Sequence, residues 1–163
     1  TKASPYAITG IAGKAGFMSI YIYKKHMSNE VGYMRKVLSI LEDYNVSIEH
    51  IPSGIDSFTI VIQEKDIEDR LYEMLARIKK ELKPDEIRTQ NKIALISTVG
   101  KNMSARPGTS GKLFGALGMN NINIVMIAQG SDEINITVGV NESDFKKTVR
   151  VIYDTFVTEE EKR

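Results

Sequence analysis

The chain has 163 residues, 42% hydrophobic and 26% charged, which suits a soluble globular fold of one domain or two small ones. Its 22 Lys and Arg against 21 Asp and Glu leave a net charge of +1, too little to gather nucleic acid or other polyanions. The absence of cysteine removes disulfides and thiolate metal sites. No apolar run approaches the roughly 20 residues of a membrane span, the opening Thr1-Lys2-Ala3-Ser4-Pro5 is not a signal peptide, and a cytoplasmic location is expected.

Taken in chain order, Tyr6 to Ala12 is apolar and β-prone, and Ser19 to Tyr23 alternates around Ile20 and Ile22 as a half-buried strand does. Val31, Met34, Val37, Leu38, Leu41 and Tyr44 recur at helical spacing, with Ser28 or Asn29 available as a cap. Val46 to Pro52 and Ser57 to Gln63 read as strands around the turn-prone Ser53-Gly54-Ile55-Asp56. Ile67, Leu71, Met74, Leu75, Ile78 and Leu82 line one face of a helix stopped by Pro84, and Glu86 to Asn91 is a weak strand. The same order then returns: a strand from Ile93 to Val99, a helix near Thr109 to Met119, strands at Ile122 to Gln129 and Glu133 to Val140, and a helix from Ser143 to Phe156. Residues 158–163 form a charged tail.

The return has a fixed register. Between Ile20 and Ile62, adding 76 to a residue number lands on an identical residue thirteen times in forty-three positions; Lys25, Met27, Ser28, Gly32, Asn45, Gly54, Asp56 and Ile60 recur as Lys101, Met103, Ser104, Gly108, Asn121, Gly130, Asp132 and Ile136. A solenoid unit is roughly 20 to 50 residues long, so this is a duplicated domain. The first copy reads strand, helix, strand, strand, helix, strand, and the second repeats that order as far as its second helix; the pattern is an α+β ferredoxin-like unit with an antiparallel sheet and both helices on one face. The second copy lacks a closing strand and the chain has an unused one before the first copy. Residues 13–92 are therefore expected as the first module, inserted into a second made of residues 93–157 plus the strand 6–12.

The segments SIEHIPSGIDSF (47–58), ITGIA (8–12) and NINIVMIAQGSDEINITV (121–138) closely resemble the regulatory half of bacterial aspartate kinases, and the resemblance covers nearly the whole chain. It implies tandem ACT modules that bind an end-product amino acid and restrain phosphorylation of aspartate, at the entry to lysine, threonine and methionine synthesis. The family's catalytic and nucleotide-binding segments lie N-terminal to its ACT region and nothing here matches them. ATP and magnesium thus belong to a kinase domain partnering this region, and no cofactor is expected in the chain itself. The loop at 47–58 looks more like lysine-responsive members, whose facing surfaces imply a homodimer; threonine is the alternative effector, and a dimerisation module without a ligand the other alternative.

An amino-acid ligand places a carboxylate beside an ammonium, so its site needs anion donors near carbonyls or a carboxylate. The stretch Met27, Ser28, Asn29, Glu30, Gly32 and Tyr33 offers the free N–H groups of a helix start, and Ser53, Gly54, Ile55, Asp56 and Ser57 offer a facing turn. Asp56 or Glu30 suits the ammonium. Turn geometry alone would also account for Gly32, Gly54 and Asp56, because they recur; Glu30, Tyr33 and Ser53 do not recur. The matching second pocket comprises Met103, Ser104, Gly108, Thr109, Gln129, Gly130, Ser131 and Asp132, and ranks below the first.

Other motifs are weaker. His26 and His50 lack the three or four neighbours a metal needs. Gly10-x-x-Gly13-Lys14 and Gly108-x-x-Gly111-Lys112 fall short of a phosphate loop and read as loop flexibility and helix entry. The charge run from Glu64 to Lys83 is a solvated helix face, and the methionines read as core filler. An RNA-binding reading fails on charge and on the lack of an aromatic RNP motif. No nucleophile with an adjacent base supports an independent enzyme.

Overall fold

The computed structural model describes residues 8–100, 107–129 and 135–158. Ten main elements follow one another: β1 Gly10–Tyr23, α1 Tyr33–Asp43, β2 Ile48–His50, β3 Ser57–Gln63, α2 Leu71–Leu82, β4 Glu86–Val99, α3 Thr109–Met119, β5 Ile124–Gln129, β6 Asn135–Asn141 and α4 Phe145–Tyr153. They divide into two compact units, Gly16–Lys92 and the described parts of Thr1–Ala15 with Ile93–Arg163.

In the first unit the strands lie in the order β2-β3-β1-β4. Phe17 to Tyr23 pairs antiparallel with Ser57 to Gln63, setting Ile20 opposite Ile60 and Ile22 opposite Phe58. Residues two apart on a strand share a face, so Met18, Ile20 and Ile22 join Phe58, Ile60 and Ile62 in one apolar layer. Against it α1 buries Tyr33, Val37, Ile40 and Leu41, and α2 buries Met74, Ile78 and Leu82, both at the spacing of one helical face. Each such fully buried large side chain contributes about 1.5–3 kcal/mol.

The second unit repeats the arrangement with a borrowed edge. Its order is β1-β4-β6-β5, with the N-terminal part of β1 standing where the first unit has its own fourth strand. The Thr9 N–H donates to the Val99 carbonyl at 2.6 Å, and at the other end of the same two strands the Asp85 N–H donates to Tyr23 at 2.9 Å, so β1 and β4 run antiparallel. Ala94, Ile96, Ile136, Val138 and Val140 form the sheet's apolar face, covered by Leu113 and Leu117 of α3 and Ile152 of α4, with Ile8 completing the cluster. The fold is two ferredoxin-like βαββαβ modules, the first inserted into the second.

Several local expectations are corrected. The expected strands 6–12 and 19–23 belong to one 14-residue strand, as do 86–91 and 93–99; residues 6 and 7 lie outside the described residues. The exposed run from Glu86 to Lys92, with only Ile87 partly covered, is held by backbone pairing more than by burial, so period-two patterning does not mark it. Neither Ser28 nor Asn29 caps α1. They sit in a preceding 3₁₀ turn, and Gly32 takes the cap position at φ 77° while its carbonyl accepts the Lys36 N–H at 2.9 Å. Likewise α2 begins at Leu71, because Glu64–Asp66 is a separate 3₁₀ turn. The strand expected over Val46 to Pro52 shrinks to Ile48–His50, with a register shift inside it.

The repeat register also slips. Ile20 faces Ile60, whereas Ile96, 76 residues after Ile20, faces Val138 rather than Ile136. Gln129 pairs with Ile136 where Ser53 pairs with Phe58, so two extra residues enter the second copy between β5 and β6. Beyond that turn the true offset is 78, and Ile60 and Ile136 are not equivalent.

Candidate functional site

In the first unit, α1 opens on Tyr33 with no side-chain cap. A helix start leaves four N–H groups without intrahelical partners. The Tyr33 N–H finds the Glu30 carbonyl at 3.2 Å and the Lys36 N–H finds Gly32, while those of Met34 and Arg35 meet no acceptor among the described residues. With the helix dipole behind them, these two amides carry the partial positive charge of a helix start.

A cavity of about 280 Å³ opens at this point, between the approach to α1 and the β2–β3 turn. Of the expected effector residues, Met27, Ser28, Glu30, Gly32, Tyr33, Gly54, Ile55 and Ser57 line it, while Asn29, Ser53 and Asp56 do not. The Ser53 hydroxyl donates instead to the Ile51 carbonyl at 3.2 Å, and the Asp56 carbonyl accepts from Lys24 at 3.0 Å. Val31, within the expected binding stretch, lines the cavity as well, and so do Met34 and Arg35, which that stretch does not include. The helical period alone marks Met34 as a core position, and only the late start of α1 brings it and Arg35 to the mouth.

Both glycines of the site have a local reason to be glycine. Gly32 lies in the left-handed region that side chains avoid, and a Cβ on Gly54 would stand 2.8 Å from the Ser57 hydroxyl in the tight turn closed by the Gly54 N–H to Ser57 carbonyl bond. Glu30 and Arg35 are exposed and form no ion pair among the described residues. Tyr33 is the opposite: only 1% exposed, with a hydroxyl that has no hydrogen-bond partner among the described residues. Burial, then the carboxylates of Glu30 and Asp85, push its pKa up to about 12, so it is a neutral phenol at physiological pH.

A larger cavity, about 540 Å³, lies in the second unit under Ile8, Ile11, Val149, Tyr153 and Val157. It carries no charged side chain to neutralise a zwitterion, so size does not make it the better site. Among the described residues no group of three or more His, Asp or Glu could hold a metal, and no helix is long and apolar enough to cross a membrane.

Residues 96–156 match the ACT domain family. Aspartokinase 3 of Bacillus subtilis is 38% identical over 150 residues, which are 91% of this chain and 33% of that protein. A crystal structure of Clostridium acetobutylicum aspartate kinase, described as an allosteric enzyme, superposes with a TM-score of 0.91 at 46% identity, over 96% of this chain and 36% of that one. This chain belongs with the ACT-domain regulatory regions of aspartate kinases. Two less similar structures share the fold. The regulatory subunit of Thermus thermophilus aspartate kinase has a TM-score of 0.78 at 23% identity, covering 92% of this chain and 98% of that one. Escherichia coli aspartokinase III in complex with lysine and aspartate has 0.77 at 19%, covering 96% and 35%. The regulatory region described here thus spans about a third of the length of the curated relative it matches.

In the second module of this regulatory region, Gly108 caps α3 at φ 85°, Thr109 is its buried first residue, and Gln129 ends β5 opposite Ile136. Met103, Ser104, Gly130, Ser131 and Asp132 lie outside the described residues. Gly10 and Gly13 prove to be strand residues of β1, not a flexible loop. A Cβ on Gly13 would stand 2.9 Å from the Phe145 ring, so close packing explains that glycine.

Proposed function

We propose that this chain senses an end-product amino acid, lysine favoured, and feedback-inhibits an aspartate kinase that phosphorylates aspartate with ATP and magnesium in a domain N-terminal to it. The observation that carries the reading is the cavity at the start of α1. There the free Met34 and Arg35 amides and the Arg35 guanidinium suit a carboxylate, and Glu30 suits an ammonium within the same small volume. At about 280 Å³ it is below the usual span for drug-sized ligands and fits one amino acid. The Escherichia coli relative bound to lysine supports the choice of effector. Inhibition follows if lysine binds one of two arrangements of the enzyme better than the other. The same reading puts the chain in the cytoplasm, beside the pools of ATP and aspartate.

Val31 and Ile55, 92% and 89% exposed, stand on the rim of the cavity. Two apolar residues at one mouth favour a homodimer that covers it, with the ligand between copies. Titration calorimetry of the 163-residue chain with lysine, threonine and methionine is the direct test. Saturable heat with lysine is expected; a folded sample silent to all three defeats the sensor. Threonine alone giving heat would replace lysine as effector. A dimer in sedimentation, silent to every amino acid, would leave a ligand-independent dimerisation module.

A further inference from the structure

The cavity at the start of α1 has two walls, the approach to that helix and the β2–β3 turn, and one short segment ties both to a third loop. The Lys24 N–H donates to the Asp56 carbonyl at 3.0 Å, which joins the end of β1 to the turn whose Ile55 and Ser57 line the cavity. The next amide along, that of Lys25, donates to the Asp85 carboxylate at 2.6 Å. Asp85 stands in the link between α2 and β4. Its own N–H donates back to the Tyr23 carbonyl at 2.9 Å, and the Lys24 ammonium donates to the Lys83 carbonyl of the same link at 2.9 Å.

The segment so held has a reason to need holding. His26, directly after Lys25, lies in the left-handed region at φ 59°, a conformation that a residue with a side chain keeps only where its surroundings impose it. From there a run of backbone bonds leads to the cavity: the Met27 N–H returns to the Lys24 carbonyl at 3.0 Å, the Glu30 N–H to Met27 at 3.0 Å and the Tyr33 N–H to Glu30 at 3.2 Å. Met27, Glu30 and the first turn of α1 thus take their places from Lys24 and Lys25. Asp85 itself does not line the cavity. Its mounting is stiff, because Lys83 ends α2, Pro84 has a fixed φ and β4 begins at Glu86.

We infer that Asp85 is a positioning residue of the pocket: by accepting the Lys25 N–H it fixes the turn after β1, and through that turn the Met27 and Glu30 wall of the cavity. The inference rests on the sensor reading above and deepens it. Without the carboxylate, the His26 turn is free to relax out of the left-handed region and the wall moves with it, while the core built on Ile22, Val37 and Leu41 stays in place. The ligand then has to order the wall itself, and affinity falls.

The experiment titrates lysine into the whole chain and into its Asp85→Ala and Asp85→Asn variants, and follows amide exchange over residues 24–30. Asp43→Ala, which removes an exposed ion pair to Arg77 in the same module, is the control. Asp85→Ala should weaken lysine binding about tenfold and speed exchange at Lys25 and Met27, with the α2 amides unchanged. Asp85→Asn keeps a carbonyl oxygen for the same N–H and should recover most of both; Asp43→Ala should alter neither. Lysine bound as tightly by Asp85→Ala as by the wild type overturns the inference and leaves the sensor standing. Asp85→Asn as weak as Asp85→Ala assigns the effect to charge rather than to the held turn and also overturns it, as does an equal loss in Asp43→Ala, which marks a general loss of stability. A wild type that binds no amino acid brings down the sensor reading itself, and the inference with it.

Discussion

Tyr33 and Thr109 hold the same place in the two modules, the first residue of α1 and of α3, each behind a glycine in the left-handed region at φ 77° and 85°. Both are buried. The same backbone thus opens both helices, and only the side chain that follows the glycine differs.

The glycines should therefore be intolerant to substitution in both modules. A side chain in the left-handed region costs about 1–2 kcal/mol. Gly108→Ala would meet no neighbouring atom and Gly32→Ala only the far end of Arg35, so that backbone term stands nearly alone. Urea unfolding of the two variants is expected to give similar losses of about 1 kcal/mol; no loss would show that the helix starts adapt.

Strand β1 offers a sharper steric case. Gly13→Val would force a side chain against the Phe145 ring, which already lies 2.9 Å from the Cβ position, with Ile96 behind it at 3.5 Å. Overpacking of this kind costs about 1–3 kcal/mol. Gly10→Val has open space around it and should cost much less, so a difference between the two in thermal melting is the check.

Core truncation should separate the modules. Leu41 and Leu113 are both fully buried, one in each hydrophobic cluster. Leu41→Ala and Leu113→Ala should each cost about 2–5 kcal/mol, and amide exchange should rise first in the module that carries the change. Equal loss of protection across both modules would mean that they unfold as one.

Alkaline stability should carry the mark of Tyr33. Its folded pKa lies above the ordinary tyrosine value of 10.0, at about 12, so the folded protein keeps a proton that the unfolded chain gives up. The stability that results is fully present below pH 10 and is lost as pH rises towards 12. Tyr33→Phe should flatten that part of a denaturation profile. A profile equally steep in the variant would assign the loss to other groups.

On the proposed sensor reading, Glu30→Gln should weaken lysine binding about tenfold in calorimetry, since the charged hydrogen bond proposed there would become a neutral one. Asp56→Asn should leave it unchanged, because Asp56 does not line the cavity.

Much of the fold is legible in the residues because burial repeats with the period of the element. Val37, Leu41, Met74, Ile78 and Leu82 announce their helices, and Ile136, Val138 and Val140 their strand. The glycine caps are not legible, since a serine and an asparagine nearby are better known for that work and a positive φ leaves no trace in composition. Nor is the continuity of β4, where Arg88 to Lys92 is polar and backbone pairing maintains the strand. The site is legible as a loop and a turn that meet. Its margins are not, because Arg35 joins it only through the exact residue at which α1 begins, and Asp56 leaves it through the hydrogen bonding of the turn.

The bond between Thr9 and Val99 joins residues ninety positions apart. A ribosome delivers the chain from its N-terminus, so the edge strand of the second module emerges first and must wait, unpaired, while the whole inserted module is made and folds. Sequence-distant closure is slow because loop entropy is lost before contacts form. The glycines and lysine of Gly10 to Gly16 are poor partners for a stray sheet, which suits a segment that has to wait.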